Sequence, residues 1–198
     1  MRKVLVVLLS AGVAGLLSML SAGAAGDPGQ LVQRVTTQAI DIATTKSGPP
    51  RDAAFREVLR NDFDLPHMAR LVLGPYWNQA SEQQRARFLS ALEADEARSF
   101  GERLSKLGGY IVTIDKVVPQ SNGLWIVDAV LSHAGGQSIR LGWDVHDNGQ
   151  GPRIADIKVS GVSMSMIKRS EFNYYIEHNG GTVEPLVREL EVRARAAR

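Results

Sequence analysis

The sequence predicts an α+β domain: helices, then an antiparallel sheet of about four strands, then helices covering one face of it. Three observations carry this. Apolar residues recur at helical spacing as far as Leu107; from Tyr110 to Val159 they alternate with polar neighbours between short turns; beyond Gly161 the helical period returns. With a leader removed, about 170 residues remain, enough for one domain with a substantial core. No internal repeat or low-complexity tract divides them.

Leu31, Val35, Ala39 and Ile42 predict a helix over residues 30–45, and Ser47-Gly48-Pro49-Pro50 breaks the chain after it. Phe55, Val58 and Leu59 mark a short second helix. Residues 65–73 form a third, with Pro66 tolerated in its first turn and Gly74-Pro75 ending it. Ser81-Glu82-Gln83-Gln84 is a capping box. The helix it opens runs to Leu107, about 40 Å long, and stops at Gly108-Gly109. Glu96 and Arg103 fall inside its apolar band, either as a paired or marginal feature or as polar groups at a cavity mouth.

The middle of the chain reads as strands. Tyr110, Val112 and Ile114 alternate; residues 124–131 are nearly continuous apolar; Ile139, Leu141, Trp143 and Val145 alternate with Ser138, Arg140 and Asp144; residues 153–159 close the meander. After the turn at Gly161 a helix carries Met164, Ile167, Phe172, Tyr175 and Ile176. A last helix over 182–195 presents Val183, Leu186, Val187 and Leu190 after Gly180-Gly181.

Residues 1–25 read as a cleavable export signal: Arg2 and Lys3, an apolar run from Val4 to Leu20, then Ala22-Gly23-Ala24. The domain is then 26–198. The full chain has 23 Lys+Arg against 21 Asp+Glu; without Arg2 and Lys3 the mature chain is balanced at 21 against 21. A nucleic-acid partner needs a clustered basic stripe, and only Arg188, Arg193, Arg195 and Arg198 approach one, in a final turn where cations complement the helix dipole. Nucleic-acid binding is not expected. With no cysteine, neither disulfides nor acylation on cysteine is available.

Two segments carry a family resemblance. Residues 156–172, DIKVSGVSMSMIKRSEF, have the pattern D-x-x-x-x-GVS followed by RS-x-F. Residues 63–77, FDLPHMARLVLGPYW, precede an Ala80-Ser81-x-x-Gln84-x-x-x-Phe88 stretch. Together they resemble the periplasmic lipid-shuttle family known as toluene-tolerance or Mla (maintenance of lipid asymmetry) proteins, including its hopanoid-associated branch. The likeness spans about residues 30–190. It implies an NTF2-like fold enclosing an apolar pocket for acyl chains, a periplasmic location, and transient contact with an inner-membrane transporter and an outer-membrane acceptor. Phospholipid and hopanoid-type lipids both remain open as ligands, and the carrier is expected to be a monomer without cofactor or metal. Met164-Ser165-Met166-Ile167 departs from relatives that are more polar after GVS.

A carrier needs a hollow interior. Drawing on the order of 30 methylenes into water costs roughly 24 kcal/mol at about 0.8 kcal/mol each, which surface contacts do not offset. The candidate walls are Val112, Ile114, Val127, Ala129, Ile139, Leu141 and Trp143 from the strands. Facing them are Leu71, Leu73, Tyr76, Phe88, Leu92 and Phe100 from the helices, then Val162, Met164, Met166 and Ile167 at the junction. Each taken singly reads equally as filled core. Leu73, Tyr76 and Trp77 read as packing, with an exposed aromatic patch as the alternative.

No catalytic constellation stands out. His67, His133, His146 and His178 are scattered without ligand spacing, and Gly161-Val162-Ser163-Met164-Ser165 lacks the second glycine of a nucleophile elbow. Asp147-Asn148-Gly149 is turn chemistry rather than a calcium loop. Two alternatives stay open: an NTF2-like enzyme using an acid–base pair around Asp128, whose solvent-facing reading pairs it with Arg140, and a ligand-free interaction module.

Overall fold

A computed structural model describes residues 26–147 and 149–196. The proposed signal segment lies outside the described residues. Helix α1, Pro28–Thr45, starts slightly earlier than its spacing predicts, because the Asp27 carboxylate accepts from Gly29 N at 2.8 Å and caps it. Helix α2, Gly48–Asp62, is fifteen residues long rather than short, and the expected break shrinks to Lys46–Ser47. Its prolines sit in the first turn, where no intrahelical N–H is required.

Helix α3, Leu65–Leu73, has the expected bounds, with Asp64 Oδ1 accepting from His67 N at 3.0 Å. A 3-10 turn, Gly74–Trp77, leads to α4, Glu82–Leu104. The capping box forms: Ser81 Oγ accepts from Gln84 N at 3.2 Å and Gln84 Oε1 accepts from Ser81 N at 3.0 Å. Helix α4 ends before the predicted Leu107 and spans about 35 Å.

The sheet has five antiparallel strands in chain order: β1 Ile111–Pro119, β2 Leu124–Ser132, β3 Ile139–Asp147, β4 Pro152–Val159 and β5 Val162–Ser163. Four were expected. The two-residue β5 exists because Ser160 and Gly161, at φ 50° and 84°, form a tight hairpin that pairs Val159 with Val162 and Lys158 with Ser163. A bulge at Ala155 breaks the alternation of β4, so Ile154, Ala155 and Asp156 are buried in succession. Helices α5, Met164–His178, and α6, Val183–Ala196, complete the α+β fold.

The buried residues form two clusters. In one, α1, α2 and the second half of α4 cover the inward sheet residues Val127, Ala129, Leu131, Leu141, Trp143 and Val145. In the other, α3, the first half of α4, α5 and α6 pack Leu73, Phe88, Leu92, Phe172, Ile176, Val187 and Leu190 against one another, with no strand involved. Helix α4 serves both, feeding Phe88, Ala91 and Leu92 to the helical cluster and Ala97 and Phe100 to the sheet-covered one.

Arg87 fastens α6 to α4, with Glu184 at 3.0 Å and Glu191 at 2.9 Å. Hydrogen bonds from Arg87, Gln84 and Arg188 hold the Glu184 carboxyl down at about 2. Arg188 and Arg193 pair along α6 with Glu184 and Glu189, both at 2.9 Å, so these tail cations are already committed.

Candidate functional site

Between the helical layer and the sheet lies an apolar cavity of about 300 Å³. Val35, Ala39 and Ile40 of α1 and Phe55, Val58 and Leu59 of α2 form one wall, and Phe100 and Leu104 of α4 another. The sheet supplies Leu131, Ile139, Leu141, Trp143, Ile157 and Val159, and Met164 begins α5 at one corner. Two lining residues are polar. Thr36 Oγ donates to Val32 O at 2.7 Å and is internally satisfied. Arg103 is exposed and makes no hydrogen bond or ion pair with the described residues.

A smaller chamber of about 150 Å³ adjoins it and shares Phe100, Arg103, Ile157 and Met164. Its other walls mix Met68, Val72 and Leu92 with Glu96, Asp156, Ser165 and Lys168. Lys168 bridges α5 to α4, 2.6 Å from Glu96 and 3.2 Å from Asp95. Burial works against its charge, but Glu96 and Asp95 outweigh burial and raise its pKa above the ordinary 10.5. A raised lysine pKa adds stability that is complete below 10.5 and fades as pH climbs through the folded value. Lys168→Met is therefore expected to flatten the alkaline arm of the stability profile above about pH 10.5, read by thermal denaturation against pH. Glu96 and Arg103 thus divide the two sequence readings between them: Glu96 is paired, and Arg103 stands at the cavity mouth.

The GVS motif acquires a structural role through Asp156. Its buried carboxylate accepts from Ser163 Oγ and, at 3.1 Å, from Ser165 N, while Ser163 Oγ accepts from Met166 N at 3.1 Å. The carboxylate thereby ties β4 to the amino end of α5, where a negative charge also suits the helix dipole. This junction closes one side of both chambers.

The sequence-designated wall residues fall into distinct places. Phe100, Ile139, Leu141, Trp143 and Met164 line the main cavity, and Leu92 and Ile167 the smaller chamber. Leu73 and Phe88 are packed inside the helical cluster, with Tyr76 against it; Leu71 is half-buried on α3. Val112, Val127 and Ala129 are buried in the sheet core without being among the cavity-lining residues. Ile114 borders an open trough of about 910 Å³ along α1 and β1, whose edges are largely polar and which shields nothing from water. Val162 and Met166 are exposed. Val35 and Ala39 of α1 and Phe55, Val58 and Leu59 of α2 lie on apolar stripes that the sequence shows, whereas Thr36 and Ile40 do not, and nothing in the sequence marks the space they face as hollow.

Trp77 packs rather than forming a free patch: Arg70 and Arg85 stack over its ring at 5.7 and 5.1 Å. Asp128 sits between the inward Val127 and Ala129 and so belongs to the opposite face of the sheet, opposite Gly142. It is not among the residues lining either chamber, and no hydrogen bond or ion pair joins it to Arg140.

Away from the cavity, His67 of α3 and His146 of β3 meet beside Asp64. Burial, then the neighbouring His146, lowers the His67 pKa below the ordinary histidine value.

The family model described as MlaC protein matches residues 31–192. No curated protein matches the chain. Among solved structures, a phospholipid-binding protein from Ralstonia solanacearum, determined in complex with a phospholipid, is similar at 16% identity and a TM-score of 0.72. The similarity covers 87% of this chain and 99% of that one. No helix among the described residues is long and apolar enough to cross a membrane. With its family model spanning most of its length and its helices and sheet arranged as in that structure, this chain belongs to the MlaC protein family.

Proposed function

We propose that the protein is a periplasmic lipid carrier that holds acyl chains in the main cavity and moves them between the inner and outer membranes. The observation that carries this reading is a partly open apolar chamber, about 300 Å³, within a fold whose similar structure was determined with a phospholipid. Ligand sites range over roughly 300–1,000 Å³. At about 300 Å³ the chamber stands at the lower end of that range, so a lipid with two long chains would use the adjoining 150 Å³ space at Phe100 and Met164 as well and would require the walls to part further. Transfer from membrane to cavity keeps each methylene in an apolar surrounding, avoiding about 0.8 kcal/mol apiece.

Arg103 favours a phosphate-bearing lipid over a neutral hopanoid. It supplies a cation at the cavity mouth that no described carboxylate neutralises, suited to a headgroup phosphate remaining outside. The route from an inner-membrane transporter to an outer-membrane acceptor accords with family membership. Organic extraction of the purified exported protein followed by mass spectrometry is expected to release phospholipid at about one molecule per chain. A protein that yields no lipid, and takes none from labelled phospholipid vesicles, would refute the carrier reading.

A further inference from the structure

We propose that Asp64, His67 and His146 form a binding site for a divalent transition-metal ion, Zn²⁺ in the first instance, which fastens the start of α3 to the end of β3. Each residue offers one ligand atom, and the three atoms lie within 4.8 Å of one another. The residues are half-buried, and none of them is among those lining the cavity.

The cluster is not explained by hydrogen bonding. Asp64 Oδ1 is committed to His67 N at 3.0 Å, whereas Oδ2 stands 3.9 Å from His146 Nδ1, too far for a hydrogen bond. The His67 and His146 rings meet edge to face at 4.4 Å between centroids, and neither ring nitrogen has a hydrogen-bond partner among the described residues. The other histidines are engaged differently: His178 Nδ1 lies 2.8 Å from Tyr174 O, and His133 packs on Tyr110.

The backbone beneath the cluster is preset. Asp64 N donates to Ile154 O at 2.8 Å, Phe63 bridges to Ile154, and His146 pairs with Arg153 in the neighbouring strand. Ligation thus requires only side-chain rotation. Zinc bonds of roughly 2.0–2.2 Å to nitrogen and oxygen place tetrahedral ligand atoms about 3.4 Å apart. The widest separation must close by about an ångström and a half, within reach of partly exposed χ rotations. Two imidazoles and one carboxylate without thiolate suit Zn²⁺, Ni²⁺ or Cu²⁺ and not the all-oxygen preference of Mg²⁺ or Ca²⁺. Three protein ligands leave a fourth position for water. Because Phe63 precedes Asp64 and lines the cavity, the ion would also stiffen one cavity wall.

Isothermal titration of the chelator-treated protein, prepared without a polyhistidine tag, tests this with ZnCl₂ and with MgCl₂. One Zn²⁺ per chain at micromolar Kd or tighter is expected, with Tm rising several degrees and no response to Mg²⁺. His67→Gln and His146→Gln are each expected to weaken binding at least tenfold, and His178→Gln to leave it unchanged. His146, at a strand end, serves alone if the His67 variant does not fold. Zn²⁺ binding weaker than millimolar, or equally tight in His146→Gln, would overturn the proposal.

Discussion

Ala39→Trp is expected to strip the carrier of its lipid while leaving it folded. Ala39 lies on α1 with its side chain on the cavity wall, so an indole grown there enters open volume rather than packed atoms. Displacing even five methylenes removes about 4 kcal/mol of favourable burial, some three orders of magnitude in affinity at about 0.8 kcal/mol each. We therefore expect lipid retained per chain to fall at least tenfold, with Tm within a few degrees of the unsubstituted protein. Val187→Trp is the contrasting case. Val187 is completely buried in the helical cluster, where added bulk has nowhere to go. Overpacking of that kind costs about 1–3 kcal/mol or more. Lipid analysis and thermal denaturation of both variants decide the matter, and equal lipid loading in Ala39→Trp would show that the chamber is not where the chains reside.

Asp156→Ala is expected to lower stability by about 3 kcal/mol, since it removes a buried acceptor and strands the Ser163 hydroxyl and Ser165 N–H that it serves. For a domain of this size that corresponds to a Tm fall of roughly 6–12 °C. Ser163→Ala removes only the hydroxyl arm and is expected to cost about 1 kcal/mol. The larger loss is accompanied by a functional one. With β4 and α5 no longer tied, the junction at Met164 opens both chambers to water, and lipid escapes faster at temperatures where the protein is still folded. Thermal scans give the first quantity and dissociation of labelled lipid the second.

Much of the fold was legible because local signals were strong. The bounds of α3, the capping box of α4, and the alternation of β3 follow from side-chain period and turn chemistry, whereas the nearly continuous apolar run of β2 hides the one-sided burial it adopts. Pro49 and Pro50 misled in one direction: they read as a break but occupy a first turn, where proline is at home. The two-residue β5 carries too little period to register. The cavity was legible only in part, for a physical reason. Periodicity places Phe88 and Phe100 together on the apolar band of α4, yet does not show that one faces interlocked side chains and the other a void. That distinction depends on how far apart the facing elements stand. His67 and His146 illustrate the same limit: distant along the chain, they are brought together by the pairing of Phe63 with Ile154.

In one half of this molecule the larger void lies between α1, α2 and the sheet, whereas the helical half borders only the smaller chamber, and a single helix runs through both. Hydrostatic pressure distinguishes such halves, since it favours states that eliminate internal void and is nearly indifferent to regions already at crystalline density. Compression therefore bears on the half formed by α1, α2 and the sheet, while α6, gripped by Arg87, keeps its place. On the proposed function, the same asymmetry predicts that lipid entry displaces the sheet side more than the helical half.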